Sequence, residues 1–328
     1  MNGHARARAH PSLALVKYWG KRPGAPNLAD TTSVALTLSG LTTTTECRIG
    51  EPNRADTLQI DGRSVDPAAA QPVFDAIRAE LGVGSFHVHS SNDFPTAAGL
   101  ASSASGYAAL AGACYAAAKR AKGDRWSDQD TERCAPRLSE LARLGSGSAC
   151  RSVYGGFTRW EAGELRAEPL FTAAHWPELR VLVAVVDSGA KPIGSRAAMQ
   201  QTRDSSPYYR AWQETSQHDA AAAAAAIAGR DLAALGPIVR SSYLKMFATM
   251  FAAAQPIVYW QPASIALIHA AEALRADGVP VWETMDAGPQ VKLVTTESYL
   301  PRVRTAIEPL ADRVIETAAG GGVAIDAI

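Results

Sequence analysis

SSNDFPTAAGLASSASG, residues 90–106, is the stretch on which the reading of the whole chain turns. It joins an alternating segment, SFHVHSSND, to an Ala-rich apolar run from Tyr107 to Ala118, so it reads as a turn between a strand and a helix. Small residues opening a helix make an anion site. The first N–H groups lack partners within the helix, and the helix dipole favours negative charge there. Gly99 allows close backbone approach and a positive φ. Ser102 and Ser103 put hydroxyls at the mouth, suited to a phosphate oxygen or a magnesium ion. The same residues also suit a plain N-cap and tight turn, and the G-K-[ST] of the common P-loop does not follow.

Composition narrows the field. The chain has 328 residues, enough for two domains or one large one. Its 32 basic and 32 acidic residues balance. That argues against a broad basic surface for nucleic acid, while leaving room for a local basic pocket. No apolar run approaches the roughly 20 residues that span a bilayer. The opening MNGHARARAH is polar and precedes no signal-peptide core. Cys47, Cys114, Cys134 and Cys150 are too dispersed for a metal pattern. The expectation is a soluble cytoplasmic protein with reduced thiols, no nucleic-acid partner and no membrane partner.

Working outward, residues 5–19 read as one strand and 17–33 as a Gly/Pro-punctuated loop. VALTLSGLTTTTECRIG and TLQIDGRSV alternate as strands, the second turning at Asp61-Gly62. PAAAQPVFDAIRAELG reads as an amphipathic helix stopped by Gly82. Residues 122–131 read as a loop, Leu138, Leu141 and Leu144 as a helical stripe, and VYGGFTRWEAGELRAEPL as a hairpin. LRVLVAVVDS is a buried strand, and a domain boundary is placed there, giving domains 1–186 and 187–328. Residues 190–212 read as a charged loop. Helices are expected at 207–228, where Ala220–Ala226 favours helix, and at 231–253, 262–276 and 299–311. Two strands around a turn are expected in VWETMDAGPQVKLVTT, with RVIETAA as the final strand. Grouped strands and helices without regular alternation indicate an α+β fold.

Four local constellations bear on chemistry. Lys17-Tyr18-Trp19-Gly20-Lys21-Arg22 is either a solvated basic loop or an anion pocket, with Lys21 a point charge and Tyr18 a donor. Gly145-Ser146-Gly147-Ser148-Ala149-Cys150-Arg151 is either a helix-to-strand turn or a ligand cradle, in which Arg151 suits a carboxylate. Cys150 has no local base and reads as a buried small hydrophobe. KPIGSRAAMQQT offers Ser195 and Arg196 to a phosphate, or is a charged surface loop. In Met285-Asp286-Ala287-Gly288-Pro289, the Asp either satisfies a turn or serves a hydroxyl as base or orienting group.

Pro95, Gly99, Leu100, Ser102, Ser103 and Ala104 fill every fixed position of P-x-x-x-G-L-x-S-S-A, so the loop resembles the phosphate loop of the GHMP small-molecule kinase superfamily. Together with AHPSLALVKYWGKR, RLGSGSACRSVYGGFTRW, SRAAMQQTRDSS and MDAGPQVKL, in order from residue 9 to 293, it resembles the diphosphomevalonate decarboxylase family of that superfamily. The resemblance implies a two-domain GHMP kinase fold: a ribosomal protein S5 domain 2-like N-terminal domain, a ferredoxin-like C-terminal domain and an active site in the cleft between them. It implies a homodimer, and an enzyme that uses ATP and Mg2+ to convert (R)-mevalonate 5-diphosphate to isopentenyl diphosphate, ADP, phosphate and CO2. The 3-hydroxyl is phosphorylated first, which turns a poor leaving group into a good one. Its departure builds positive charge at C3 that decarboxylation quenches.

By the same resemblance, Asp286 is the catalytic aspartate, Arg151 orients the C1 carboxylate, and Lys21 acts at both the catalytic and the substrate site. Tyr18, Lys21, Ser195 and Arg196 match positions near the substrate phosphates, with Lys191 a further contact. Ser146 and Ser148 fall at the substrate and phosphoryl-transfer site. Pro95, Gly99, Leu100, Ala101, Ser102 and Ser103 belong to the ATP-phosphate loop, with Ser102 the magnesium candidate. The chain departs from the family where N-L-P-x-N-S-S is usual, since it reads Asn27-Leu28-Ala29-Asp30-Thr31-Thr32-Ser33. Gly194 stands where Ser is common, and Gly320-Gly321-Gly322 replaces a Pro-containing turn. Such changes bear on substrate choice. The alternatives are a decarboxylase of mevalonate 5-phosphate, a mevalonate 3-kinase and a non-catalytic ligand-binding descendant.

Overall fold

The computed structural model describes residues 3–24, 26–94, 102–187, 189 and 193–328. The strand expected over residues 5–19 is two strands, β1 (His4–Ala9) and β2 (Ser12–Val16). The His10-Pro11 step separates them, since proline has no N–H for a ladder. The two belong to different sheets: β1 buries Ala5, Ala7 and Ala9 on one face only, whereas every residue of β2 is buried. Then come β3 (Ser33–Thr37), β4 (Thr43–Ile49), β5 (Thr57–Ile60) and β6 (Arg63–Val65). Asp61 and Gly62 join the last two with φ of 49° and 76°, the pair of left-handed residues that a type I′ hairpin requires. The amphipathic helix α1 (Gln71–Leu81) ends at Gly82 in the left-handed region. β7 (Phe86–Asn92) leads towards α2 (Ser102–Ala121).

α3 (Asp128–Gly145) begins inside the stretch read as a loop. Ser127 and Asp130 form a reciprocal capping box, and these polar first-turn residues carry no apolar period to betray the helix. The short α4 (Ala149–Ser152) precedes the expected hairpin, β8 (Phe157–Trp160) and β9 (Glu168–Phe171), and then β10 (Leu179–Val185). α5 (Ser195–Ser205) occupies the middle of the segment read as a charged loop. It buries only Ala198, Met199 and Thr202, a stripe too narrow to stand out among charges. α6 (Tyr209–Ala228), α7 (Leu232–Phe251), α8 (Pro262–Ala276), β11 (Trp282–Met285), β12 (Val291–Thr296), α9 (Leu300–Ile307) and β13 (Arg313–Ala318) follow the sequence reading closely. β14 (Ala324–Ala327) does not: β13 was expected to be the final strand.

Among the described residues three sheets result, ordered β14-β1-β4-β7-β5-β6, β2-β3-β8-β9 and β11-β12-β10-β13. β5–β7 is the parallel pair and the other ladders are antiparallel, which is α+β organisation. The Ala-rich α2 lies on the first sheet, sharing a core of small side chains with Ala5, Ala7 and Val88. Leu13, Leu15, Val34 and Leu36 of the second sheet share a core with Val181 and Val183 of β10, and with Ala220, Ala223, Leu235 and Val239 of α6 and α7. β10 was assigned to the first domain by a boundary after residue 186. It pairs instead with β12 and β13. This core brings the loop after β2, the start of α5 and the β11–β12 turn together. No helix among the described residues is long and apolar enough to cross a membrane.

Candidate active site

Five segments converge on a cavity of about 400 Å³. The loop after β2 supplies Lys17, Tyr18, Trp19 and Lys21; α2 supplies Ser103; residues 145–151 supply Ser146, Ser148 and Arg151. The start of α5 gives Ser195 and Arg196, and the β11–β12 turn gives Asp286. Nine residues singled out from the sequence therefore share one cavity wall: Tyr18, Lys21, Ser103, Ser146, Ser148, Arg151, Ser195, Arg196 and Asp286. Ser102 opens α2 but does not line the cavity. Pro95, Gly99, Leu100, Ala101 and Lys191 lie outside the described residues.

The loop after β2 is fixed at both ends. The Lys17 N–H donates to Ser242 Oγ of α7 at 2.9 Å. Trp19 Nε1 donates to Thr202 Oγ1 at 2.8 Å, and Trp212 Nε1 donates to the Trp19 carbonyl at 3.0 Å. Lys21 Nζ donates to Asn27 Oδ1 at 2.5 Å, and Asn27 Nδ2 reaches the carbonyls of Arg143 and Leu144. Lys21 is thus tied to the turn that presents Ser146 and Ser148. Burial, with Arg196 nearby, brings the Lys21 ammonium down to about 8.

Lys17 is one of three cations of a basic loop in the sequence, and its motif points to no role for it. It is 1% exposed, and its Nζ donates to Asp286 Oδ1 at 2.8 Å and to the Ala14 carbonyl at 2.8 Å. Lys292 of β12, also unassigned, lies with Nζ 3.2 Å from Asp286 Oδ2. Burial alone would raise the Asp286 carboxyl, but the two ammoniums outweigh it and hold the group well below the usual carboxylate range. Lys17 moves the other way. Burial dominates and lowers it to about 8, with Lys292 and Arg151 reinforcing burial and Asp286 opposing it. Two ammoniums share one carboxylate, so the pair stabilises the acid more fully than the base.

Arg151 is also buried. Its Nη1 donates to Ser33 Oγ at 2.9 Å, and its guanidinium stands 6.0 Å from the centre of the Tyr18 ring. Arg151 Nε and the Tyr18 hydroxyl are both buried without a hydrogen-bond partner in the wall of the cavity, and so is the Ser12 hydroxyl. Buried polar atoms are normally paired, so these three leave the cavity wall with unmet hydrogen-bonding capacity. The Ser146 hydroxyl lies 3.4 Å from Ser103 Oγ and 3.3 Å from Ser148 Oγ, forming a string of hydroxyls at the start of α2. Four cations, Lys17, Lys21, Arg151 and Arg196, face one carboxylate, Asp286, and the site favours an anion. Trp19, Met199 and Met246 give the rest of the wall an apolar character. Among the described residues, no cluster of His, Cys, Asp or Glu side chains is placed to hold a metal ion by itself.

Residues 9–170 match the family described as diphosphomevalonate decarboxylase-like N-terminal domain, and residues 181–317 match the mevalonate 5-diphosphate decarboxylase C-terminal domain. The chain is similar to diphosphomevalonate decarboxylase of Rattus norvegicus, 34% identical over 92% of this chain and 80% of that one. It is similar in structure to mevalonate diphosphate decarboxylase from Staphylococcus aureus: TM-score 0.89, 33% identity, 100% of this chain and 99% of the other. A complex of MDDEF with MVAPP, AMPPCP and magnesium gives a TM-score of 0.88 at 34% identity, over 99% of both chains.

Proposed function

The chain belongs to the diphosphomevalonate decarboxylase family, and from that premise we propose that it converts (R)-mevalonate 5-diphosphate and ATP to isopentenyl diphosphate, ADP, phosphate and CO2. The observation that carries the reading is the unpaired pair in the cavity wall, the Tyr18 hydroxyl and Arg151 Nε, beside four cations and one carboxylate. A substrate with a diphosphate at one end and a carboxylate at the other supplies acceptors for both atoms and counter-charge for the cations.

The roles follow from position. Lys21, Tyr18, Ser195 and Arg196 bind the diphosphate. Arg151 holds the C1 carboxylate. Ser12, Ser146 and Ser148 supply hydroxyl contacts to the substrate. Asp286 accepts a hydrogen bond from the 3-hydroxyl and aims its oxygen. A carboxylate held so far below the usual range is a weak base, so orientation is its main service before phosphoryl transfer. Afterwards its negative charge lies beside the carbon that becomes positive as phosphate leaves, while the C1–C2 electrons form the alkene and CO2 departs. Trp19, Met199 and Met246 keep water from that centre.

The residues present fit a nucleotide phosphate. The first turn of α2 presents helix-end N–H groups, with Ser103 at the cavity and Ser146 beside it. Ser102, the first residue of α2, would supply the protein's hydroxyl to a magnesium ion held mainly by the nucleotide phosphates. When bound, the ion neutralises charge on the transferring phosphoryl group. The test is a panel of (R)-mevalonate, its 5-phosphate and its 5-diphosphate with ATP and magnesium, following ADP and CO2 together. Both products from the 5-diphosphate are expected. Both from the 5-phosphate alone, ADP without CO2, or no turnover would overturn the reading in favour of the shorter substrate, a 3-kinase or a binding protein respectively.

A further inference from the structure

Asp30 lies outside the cavity, yet it is a hub between two of the segments that build it. Its carboxylate is 9% exposed and meets four side chains. Oδ2 accepts from the Tyr209 hydroxyl at 2.9 Å and lies 3.5 Å from Arg203 Nε. Oδ1 accepts from Gln213 Nε2 at 2.8 Å and lies 3.8 Å from Arg22 Nε. Arg203 is on α5, Tyr209 and Gln213 are on α6, and Arg22 follows Lys21 in the substrate loop.

Arg22, Arg203 and Tyr209 each lead back to a cavity residue. Arg203 is seven residues, two helical turns, from Arg196, and both share a face of α5 with Met199 of the cavity wall. Tyr209 presses on Gly20, the residue before Lys21 and two after Tyr18. Gly20 has φ of 114°, and a Cβ there would lie 1.8 Å from the Tyr209 hydroxyl. The Asp30 N–H donates to the Gly20 carbonyl at 3.1 Å, and Lys21 pairs with Ala29 across the same narrow loop. One buried carboxylate thereby bridges the loop that carries Tyr18 and Lys21 and the helix that opens with Ser195 and Arg196.

We propose that Asp30 is a positioning residue for the diphosphate end of the substrate, locking the loop after β2 to α5 and α6 so that its four phosphate ligands stay in one arrangement. The inference rests on the function proposed above. A carboxylate at this depth is costly unless its partners are present, and here two hydrogen-bond donors and two arginines supply them. The charge is fully engaged with protein groups, so it does not oppose a diphosphate.

The test compares wild type with Asp30→Ala, Asp30→Asn and Tyr209→Phe. In Asp30→Ala the KM for mevalonate 5-diphosphate should rise about tenfold, while kcat and the KM for ATP stay within about threefold. Tyr209→Phe should give part of that rise, and adding it to Asp30→Ala should give no more, because both act through one contact. Asp30→Asn keeps an acceptor for Tyr209 and should fall between, which serves if the alanine variant folds poorly. Calorimetric titration with inorganic pyrophosphate reads the same site without turnover and should weaken in parallel. An unchanged substrate KM and pyrophosphate affinity in an active enzyme would overturn the inference and leave the proposed function standing. So would an equal rise in both KM values with a lowered Tm, the pattern of a merely structural residue. Weakened pyrophosphate binding in a chain that does not turn over the 5-diphosphate would do the reverse.

Discussion

Lys17 Nζ lies 2.8 Å from Asp286 Oδ1, although 269 residues separate the two in sequence. The contact joins the loop after β2 to the β11–β12 turn, and both groups line the same cavity. Its chemical consequence is directional: the acid is fixed in its charged form while the base is left easy to discharge.

Lys17 and Lys21 are both lowered to about 8, chiefly by burial. If their cationic forms bind the substrate, kcat/KM, which reports the free enzyme, should fall above about pH 8 and fall more steeply than one ionisation allows. Lys17→Arg, whose guanidinium keeps its proton, should retain part of the activity and return the limb towards a single ionisation. A profile flat to pH 9.5 would contradict this.

Folding stability should carry the same signature. The lowered Lys17 leaves the folded state with fewer bound protons than the unfolded state between about pH 8 and the ordinary lysine value of 10.5, so stability from this group rises across that window. Asp286 acts at the other end. Its contribution is present above the unfolded carboxylate value, about 4, and is lost as pH falls through the lower folded value. Urea denaturation of wild type and Asp286→Asn across pH 2–5 should show the acid-side slope reduced in the variant.

Removing one member of the pair should cost more than removing a surface charge. Lys17→Met leaves Asp286 with Lys292 alone, and loss of a buried partner typically costs 3–5 kcal/mol. Because Asp286 is 29% exposed to the cavity, about 3 kcal/mol in chemical denaturation is expected, with turnover lost together with stability.

Arg151→Gln should separate the two halves of the reaction. The substituted side chain no longer offers a fork to the C1 carboxylate, so ADP should form in excess of CO2, and the CO2-releasing rate should fall about 100-fold or more. Equal losses in both products would place Arg151 in phosphoryl transfer instead.

Two glycines give an opposed pair of outcomes. A Cβ at Gly147 would lie 2.4 Å from the Tyr18 hydroxyl, so Gly147→Ala should push Tyr18 from the wall and raise the substrate KM with the fold retained. Among the described residues nothing lies within 4 Å of a Cβ placed at Gly194, which caps α5 in an extended conformation. Gly194→Ser should add a few tenths of a kcal/mol of stability and leave the KM within about twofold. Steady-state kinetics with thermal melts checks both.

The sequence and the structure agree where the signal is local. The Asp61-Gly62 hairpin, the Gly82 stop and the buried strand at 179–185 each follow from a few adjacent residues. So do the nine cavity residues, because each lies in a short motif that the family resemblance could place. The failures are of two kinds. α5 and the first turn of α3 are held by a capping box or by a narrow buried stripe, neither of which raises the apolar periodicity of a polar segment. Lys17, Lys292 and Asp30 owe their roles to partners far along the chain, and no local pattern distinguishes a lysine in a basic loop from one buried against a distant carboxylate. Ser12 was legible only as a strand residue. Its unpaired hydroxyl is a property of the assembled cavity.

β14 pairs with β1 along Ala5–Arg8, so the earliest strand of the first sheet waits for residues 324–327 to complete its ladder. During synthesis on the ribosome, β4 can dock on one side of β1 after a few dozen residues, but the other side stays an open edge until residues 324–327 have emerged. An open edge is a template for pairing with a neighbouring chain. Arg6 on the outward face of β1 pairs with Glu46 of β4, whereas Arg8 has its acidic partner, Asp326, on β14, so the bare edge keeps the Arg8 charge uncompensated and sets nascent copies against each other through that interval.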